Sequence, residues 1–185
     1  MLLIFCSLNL IGQTNYEYDY KDRYRFTRIA KRNLKLGNLK RAEKFIKKTK
    51  LCSNGSCGTW DLSEIDFLEV QILNKQRKFN ESLQCLDSLI YNWHYAEIDS
   101  LKIVTLFLKF GKDKIKNAFK KIDKYNGPEL RYALTYWVFL DDLNYKFWFT
   151  IPDDYRINNE KKEKIKTGNE FYDLVKDQPF YKLLQ

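Results

Sequence analysis

Residues 26–50 read FTRIAKRNLKLGNLKRAEKFIKKTK, and the parsing of this stretch decides the fold. Phe26, Ile29, Ala30 and Leu34 recur at the spacing that lines one face of a helix, with Arg28, Lys31, Arg32 and Lys35 on the opposite face. Gly37-Asn38 then breaks the pattern. Glycine tolerates the left-handed conformation that ends a helix, and asparagine suits a turn or the next N-cap. The apolar face resumes with Leu39, Ala42, Phe45, Ile46 and Thr49. Two short amphipathic helices folded back on each other are expected, with the small residues Ala30 and Ala42 where the backbones approach. A single long helix is the alternative, because an interior glycine costs only about 1 kcal/mol relative to alanine.

The second-helix pattern returns twice. Arg77 to Leu83, followed by Leu86 and Leu89, repeats it with Ser82 in the place of Ala42, and Asp113 to Phe119, followed by Ile122, repeats it with Ala118. This arrangement resembles the tetratricopeptide repeat, a family of helix pairs of about 34 residues with small residues at the crossing. Ala30, Gly37, Leu39, Ala42 and Ile46 fall on matching positions. Phe26 and Ile29 meet the family's opening in part, with Ala30 replacing its glycine, and the closing proline is missing. The offsets here, 40 and then 36 residues, are longer than the family period. The resemblance covers roughly residues 24 to 126. It implies an all-α chain of antiparallel helical hairpins stacked as a short solenoid, closed by a C-terminal capping region.

The organisation expected is a signal peptide over 1–12, a lead-in over 13–25, about three hairpins over 26–126 and a helical cap over 127–185. Leu2 to Ile11 is apolar but shorter than the roughly 20 residues that span a bilayer. It has the length of a signal-peptide core, with Gly12 before the cut, although no Lys or Arg precedes it. It resembles Bacteroidetes export signals, which often end just before a Gln, here Gln13. A periplasmic or extracellular location is expected, with a first buried helix in a cytoplasmic protein as the alternative. The loop-like stretch Leu51 to Gly58 holds Cys52 and Cys57 around Asn54-Gly55. In an oxidising compartment these two would close a small disulfide ring. Two free thiols are the alternative. A metal site would want about four ligands, and beyond these two cysteines the chain offers Cys85 and the lone His94.

Leu62–Lys75 with Asn80–Trp93 is read as a second hairpin, and Ala96–Phe110 with Lys112–Tyr125 as a third that turns at Gly111. Asn126-Gly127-Pro128 is a stop. Glu129 to Asn144 is read as a helix with Leu130, Ala133, Leu134, Trp137 and Val138 inward. The alternation Tyr145, Phe147, Phe149, Ile151 predicts a short extended piece. The six aromatics from Trp137 to Phe149 form either a ligand-stacking patch or capping core. A last amphipathic turn over Asn169–Lys176 precedes Asp177 to Leu184, which resembles the aspartate-proline-phenylalanine closures of tetratricopeptide arrays.

Hydrophobic content of 44% is that of a globular chain, and seven Gly with three Pro leave little room for a turn-rich β fold. The net charge of +9 raises nucleic-acid binding, with nine Lys or Arg against Glu43 over residues 31–50. Those cations occupy the positions left by the apolar faces, so a solvated helix surface accounts for them equally well. No catalytic constellation is apparent: His94 is single, no glycine-rich phosphate loop occurs, and Asp141-Asp142 and Asp153-Asp154 are sequence neighbours. No enzyme activity, cofactor or metal is expected. The resemblance implies a groove for a protein or peptide partner, lined by Tyr24, Thr27, Lys31 and Lys35 and by Phe67, Gln71, Asn74 and Lys75, whose lysines beside an asparagine would suit an acidic segment or a C-terminal carboxylate. Nucleic-acid binding through residues 31–50, or a purely structural role in the envelope, are the other readings.

Overall fold

The computed structural model describes residues 18–52, 60–89, 95–130, 134–151 and 165–185. Helices predominate. The chain falls into two compact units, Met1–Thr59 and Trp60–Gln185.

In the first unit α1 (Tyr20–Lys35) and α2 (Leu39–Lys50) pack as a hairpin. Phe26, Ala30, Leu34, Ala42 and Ile46 are buried, so the apolar stripes face inward. Phe26 meets Phe45 at 5.8 Å and Tyr18 edge-on at 5.1 Å. An isolated bridge between Tyr18 and Cys52 ties the two ends together. Helix α1 ends with Gly37 at φ 76°, where Asn38 N–H donates to Asn33 O and Gly37 N–H to Leu34 O. Those bonds satisfy carbonyls that the helix end would otherwise leave unpaired.

The second unit opens with α3 (Trp60–Lys75) and α4 (Phe79–Ser88). The turn between them repeats the first one bond for bond: Lys78 N–H donates to Leu73 O, Arg77 N–H to Asn74 O, and Arg77 takes φ 61°. Each residue lies 40 positions after its counterpart. Ala42 and Ser82, the small residues matched across the repeat, are both fully buried. Helices α5 (Tyr95–Phe110) and α6 (Lys112–Lys120) are joined by Gly111 alone, at φ 90°. From α3 to α6 each helix packs on the next.

The expected helical cap is corrected by the structure. Residues 124–167 contribute a four-stranded antiparallel sheet of β1 (Lys124–Leu130), β2 (Leu134–Leu140), β3 (Tyr145–Thr150) and β4 (Ile165–Thr167), in the order β3-β2-β1-β4. Asn126-Gly127-Pro128 does not stop the chain. β1 runs through it with a register shift between Asn126 and Glu129, an irregularity that tolerates a proline lacking its N–H. β2 is aromatic and branched, and its residues alternate: Tyr136, Val138 and Leu140 are buried, while Trp137 and Phe139 are more exposed. The expected alternation over Tyr145–Ile151 holds, with Phe147 and Phe149 fully buried. Helices α7 (Gly168–Val175) and α8 (Pro179–Lys182), with Leu184 just after α8, then add Phe171, Val175, Phe180 and Leu184 to a core shared with α5, α6 and the sheet. Phe149 stacks on Tyr136 at 5.5 Å and touches Phe171 and Phe180 at 5.8 and 5.5 Å.

Candidate functional site

The α1–α2 hairpin holds the charge of the molecule. Residues 18–52 carry thirteen Lys or Arg against three acids, a net +10, while all other residues together carry twenty against twenty-one. Ten of the thirteen are exposed, Arg28, Arg32 and Lys35 lying together along α1. Glu43, the one acid of α2, pairs with Lys47 at 2.9 Å. Phe26 and Phe45 are turned into the hairpin, and Lys48 Nζ lies 5.3 and 5.5 Å from the Tyr18 and Phe26 rings, so these rings are packing surface.

The residues expected to line a partner groove divide between the two units. In the first, Tyr24 (56% exposed) and Lys35 are exposed and Lys31 is partly so. Thr27 is buried and its hydroxyl donates to Arg23 O at 2.9 Å, so it serves packing within α1. In the second, Gln71 and Lys75 are exposed. Phe67 instead packs against the cluster of Val70, Leu86, Leu89 and Ile98. Asn74 donates its amide to Thr105 Oγ1 at 2.9 Å, binding α3 to α5. Phe67 and Asn74 therefore act mainly inside the fold.

Cys52 is buried, and its thiol lies 3.4 Å from Lys48 O as a donor. Burial pushes the thiol up from its ordinary pKa, against the opposing pull of Arg23, so it is protonated and unreactive at neutral pH. Cys57, the other half of the expected disulfide, lies outside the described residues, as do His94 and residues 1–17. Cys85 on α4 reaches Glu69 Oε2 on α3 at 3.6 Å, and Asp66 completes a group whose ligand atoms lie within 4.8 Å of one another. The thiol–carboxylate contact accounts for Cys85 and Glu69 without an ion.

The most unusual chemistry is buried in the second unit. Lys102 of α5 is fully buried, and its Nζ lies 3.0 Å from Asp87 Oδ1, 3.0 Å from Trp148 O and 3.9 Å from Asp99 Oδ1. Asp99 Oδ2 accepts Thr150 N–H at 2.9 Å, and Tyr145 OH donates to Asp87 Oδ2 at 3.4 Å. One ammonium faces two carboxylates, and geometry selects Asp87 as its ion-pair partner. Loss of hydration dominates at Asp99, raising its pKa to about 7 against the opposing pull of Lys102 and the Thr150 N–H. Tyr145 is raised by burial and by Asp87. The network ties α4, α5 and β3 together; nothing in the sequence distinguishes Asp99 and Lys102 from an ordinary exposed i,i+3 pair.

Two further surfaces were not legible beforehand. On the outward side of β2 and β3, Lys146 Nζ sits 3.9 and 4.1 Å from the ring centroids of the cross-strand pair Trp137 and Trp148. The six aromatics therefore split, with Phe147 and Phe149 in the core, Tyr145 packed against it, and Trp137, Phe139 and Trp148 outward. A cleft of about 370 Å³ opens between α6 and the α7–α8 end of the chain, lined by Lys116, Phe119, Lys120, Tyr172, Tyr181, Leu184 and Gln185. Comparison with protein-family models, curated proteins and solved structures gives no match.

Proposed function

We propose that this chain is a non-catalytic binding protein of tetratricopeptide-like helical hairpins that captures an acidic protein or peptide partner through its basic α1–α2 hairpin. On this reading it works in the bacterial cell envelope, where the apolar leader would send it and where Cys52 and Cys57 would pair.

The observation that carries the reading is the segregation of charge. A solvated helix face needs polar residues, not residues of one sign. The hairpin α3–α4, built on the same turn, manages with three Lys or Arg against six acids over residues 60–89. Like charges one helical turn apart destabilise a helix by about 0.2–0.5 kcal/mol per pair, so a one-sign surface works against folding. A complementary partner offsets that cost and accelerates encounter. A protein partner is favoured over single-stranded nucleic acid because Phe26 and Phe45 are turned inward and form no stacking platform.

The test is fluorescence anisotropy of the full chain with a labelled Glu-rich peptide at physiological salt, beside RNA and DNA oligomers of matched charge. The peptide is expected to bind best, and the Arg28→Glu/Arg32→Glu/Lys35→Glu variant to weaken it by about tenfold or more. Unchanged affinity in that variant would remove the hairpin from consideration. Tighter binding of an oligomer, with a log–log salt slope of about −0.9 per phosphate neutralised, would replace the protein partner by nucleic acid.

A further inference from the structure

We propose that the cleft between α6 and the α7–α8 end binds a small organic anion, a carboxylate or phosphate carried on a flat apolar body. The proposal concerns the second unit alone and does not depend on what the basic hairpin binds.

The cleft is built from two kinds of wall. Phe119 and Leu184, both nearly inaccessible to solvent, supply apolar surface. Tyr172 and Tyr181 meet edge to face at 6.0 Å, which sets two phenol rings at an angle beside that surface. A flat body is accommodated by such walls, and the volume of about 370 Å³ lies at the small end of the 300–1,000 Å³ typical of ligand sites.

The charged side chains of the lining are both cationic. Lys116 and Lys120 stand one turn apart on α6, and no Asp or Glu is among the lining residues. Among the described residues Asp173, a nearby acid on α7, is engaged by Lys176 at 3.0 Å. Each phenol carries an O–H group that can donate. Tyr181 is held above its ordinary pKa by burial and then by Tyr172, so it keeps its proton at neutral pH. The cleft thus offers two ammonium groups and two phenols, with Gln185 providing the acceptors. Lys116 Nζ is already engaged, donating to the main-chain oxygen of Gln185 at 2.6 Å, so an incoming anion shares or displaces that bond and draws chiefly on Lys120. An acceptor-only head group satisfies this donor set, and a charged one gains most from it.

The experiment is titration of the isotope-labelled full chain with 3-phenylpropanoate, phenyl phosphate and the neutral 3-phenylpropanamide, followed by amide chemical shifts. Both anions are expected to shift residues 116–120 and 172–185, with affinity about tenfold above that of the amide. The better of the two identifies the head group. In Lys116→Gln/Lys120→Gln the anions should bind no better than the amide. Tyr172→Ala, which removes a wall but no charge, should weaken all three probes. Equal binding of acid and amide by the unmodified protein, shifts confined to other residues, or no shifts at millimolar probe would each overturn the proposal.

Discussion

Replacing Asp99 by Asn isolates the titration of one buried carboxyl, and the sign of its effect follows from the fold. Asp99 is held among Lys102, Asp87, Tyr145 and the Thr150 N–H, and its pKa rises to about 7 because burial outweighs its favourable partners. An unfolded Asp titrates near 3.9. The folded chain therefore binds this proton more tightly than the unfolded chain. Its contribution to stability is complete below about pH 4 and is lost as the pH rises through about 7. The full difference, about three pKa units at 1.36 kcal/mol each, is on the order of 4 kcal/mol. Between about pH 5 and about pH 8, linkage makes the loss roughly 2–3 kcal/mol.

The assay is urea denaturation of the unmodified chain and of Asp99→Asn across that range. Other carboxylates contribute equally to both proteins, so the difference between the two curves reports Asp99. That difference should move in favour of Asn as the pH rises, by the amount above. Asn can still accept the Thr150 N–H through its amide oxygen, so the substitution preserves the bond to β3. A pH-independent difference, or one that moves in favour of Asp, would refute the claim that desolvation outweighs Lys102 at this site.

The turns give a pair of opposed predictions. Arg77→Gly relieves a left-handed residue and should stabilise the chain by about 0.5–1 kcal/mol, whereas Gly37→Ala, which has open space around its added Cβ, should destabilise it by about 1 kcal/mol through backbone conformation alone; thermal or urea melts measure both. Lys102→Met should cost about 3–5 kcal/mol in urea titration, because it leaves Asp87 and the Trp148 carbonyl without their buried donor. A loss below about 1 kcal/mol would mean that water replaces the ammonium.

The hairpins were legible because their signals are local. Gly37 announces its own turn, and the apolar spacing on both sides settles which faces are buried. The sheet was not legible, because Leu130, Leu134, Trp137 and Val138 satisfy a helical spacing while the overlapping set Leu134, Tyr136, Val138 and Leu140 satisfies a strand alternation. What decides between them is a partner: Val138 pairs with Phe147 and Trp137 with Trp148 in β3, and such pairing is a long-range fact. The same limit applies to Lys102. Its helix packs against α4, α6, α8 and β3, so a position that reads as solvent-facing is enclosed from several directions.

The candidate sites divide along the same line. Excess charge over residues 31–50 is visible in the sequence, but its meaning comes from comparison with a hairpin of the same backbone. The turns at Gly37 and Arg77 make matching main-chain bonds, and Ala42 and Ser82 are buried alike, so the scaffold is specified by a handful of positions. The remaining positions are free to carry either sign, and the two hairpins carry opposite ones. The fold does not call for the +10 of residues 18–52, and this is the ground on which the proposed binding role rests. The anion cleft has no such counterpart. Lys116, Tyr172 and Tyr181 come from separate helices, each unremarkable in its own segment, and only their convergence makes a donor-rich pocket.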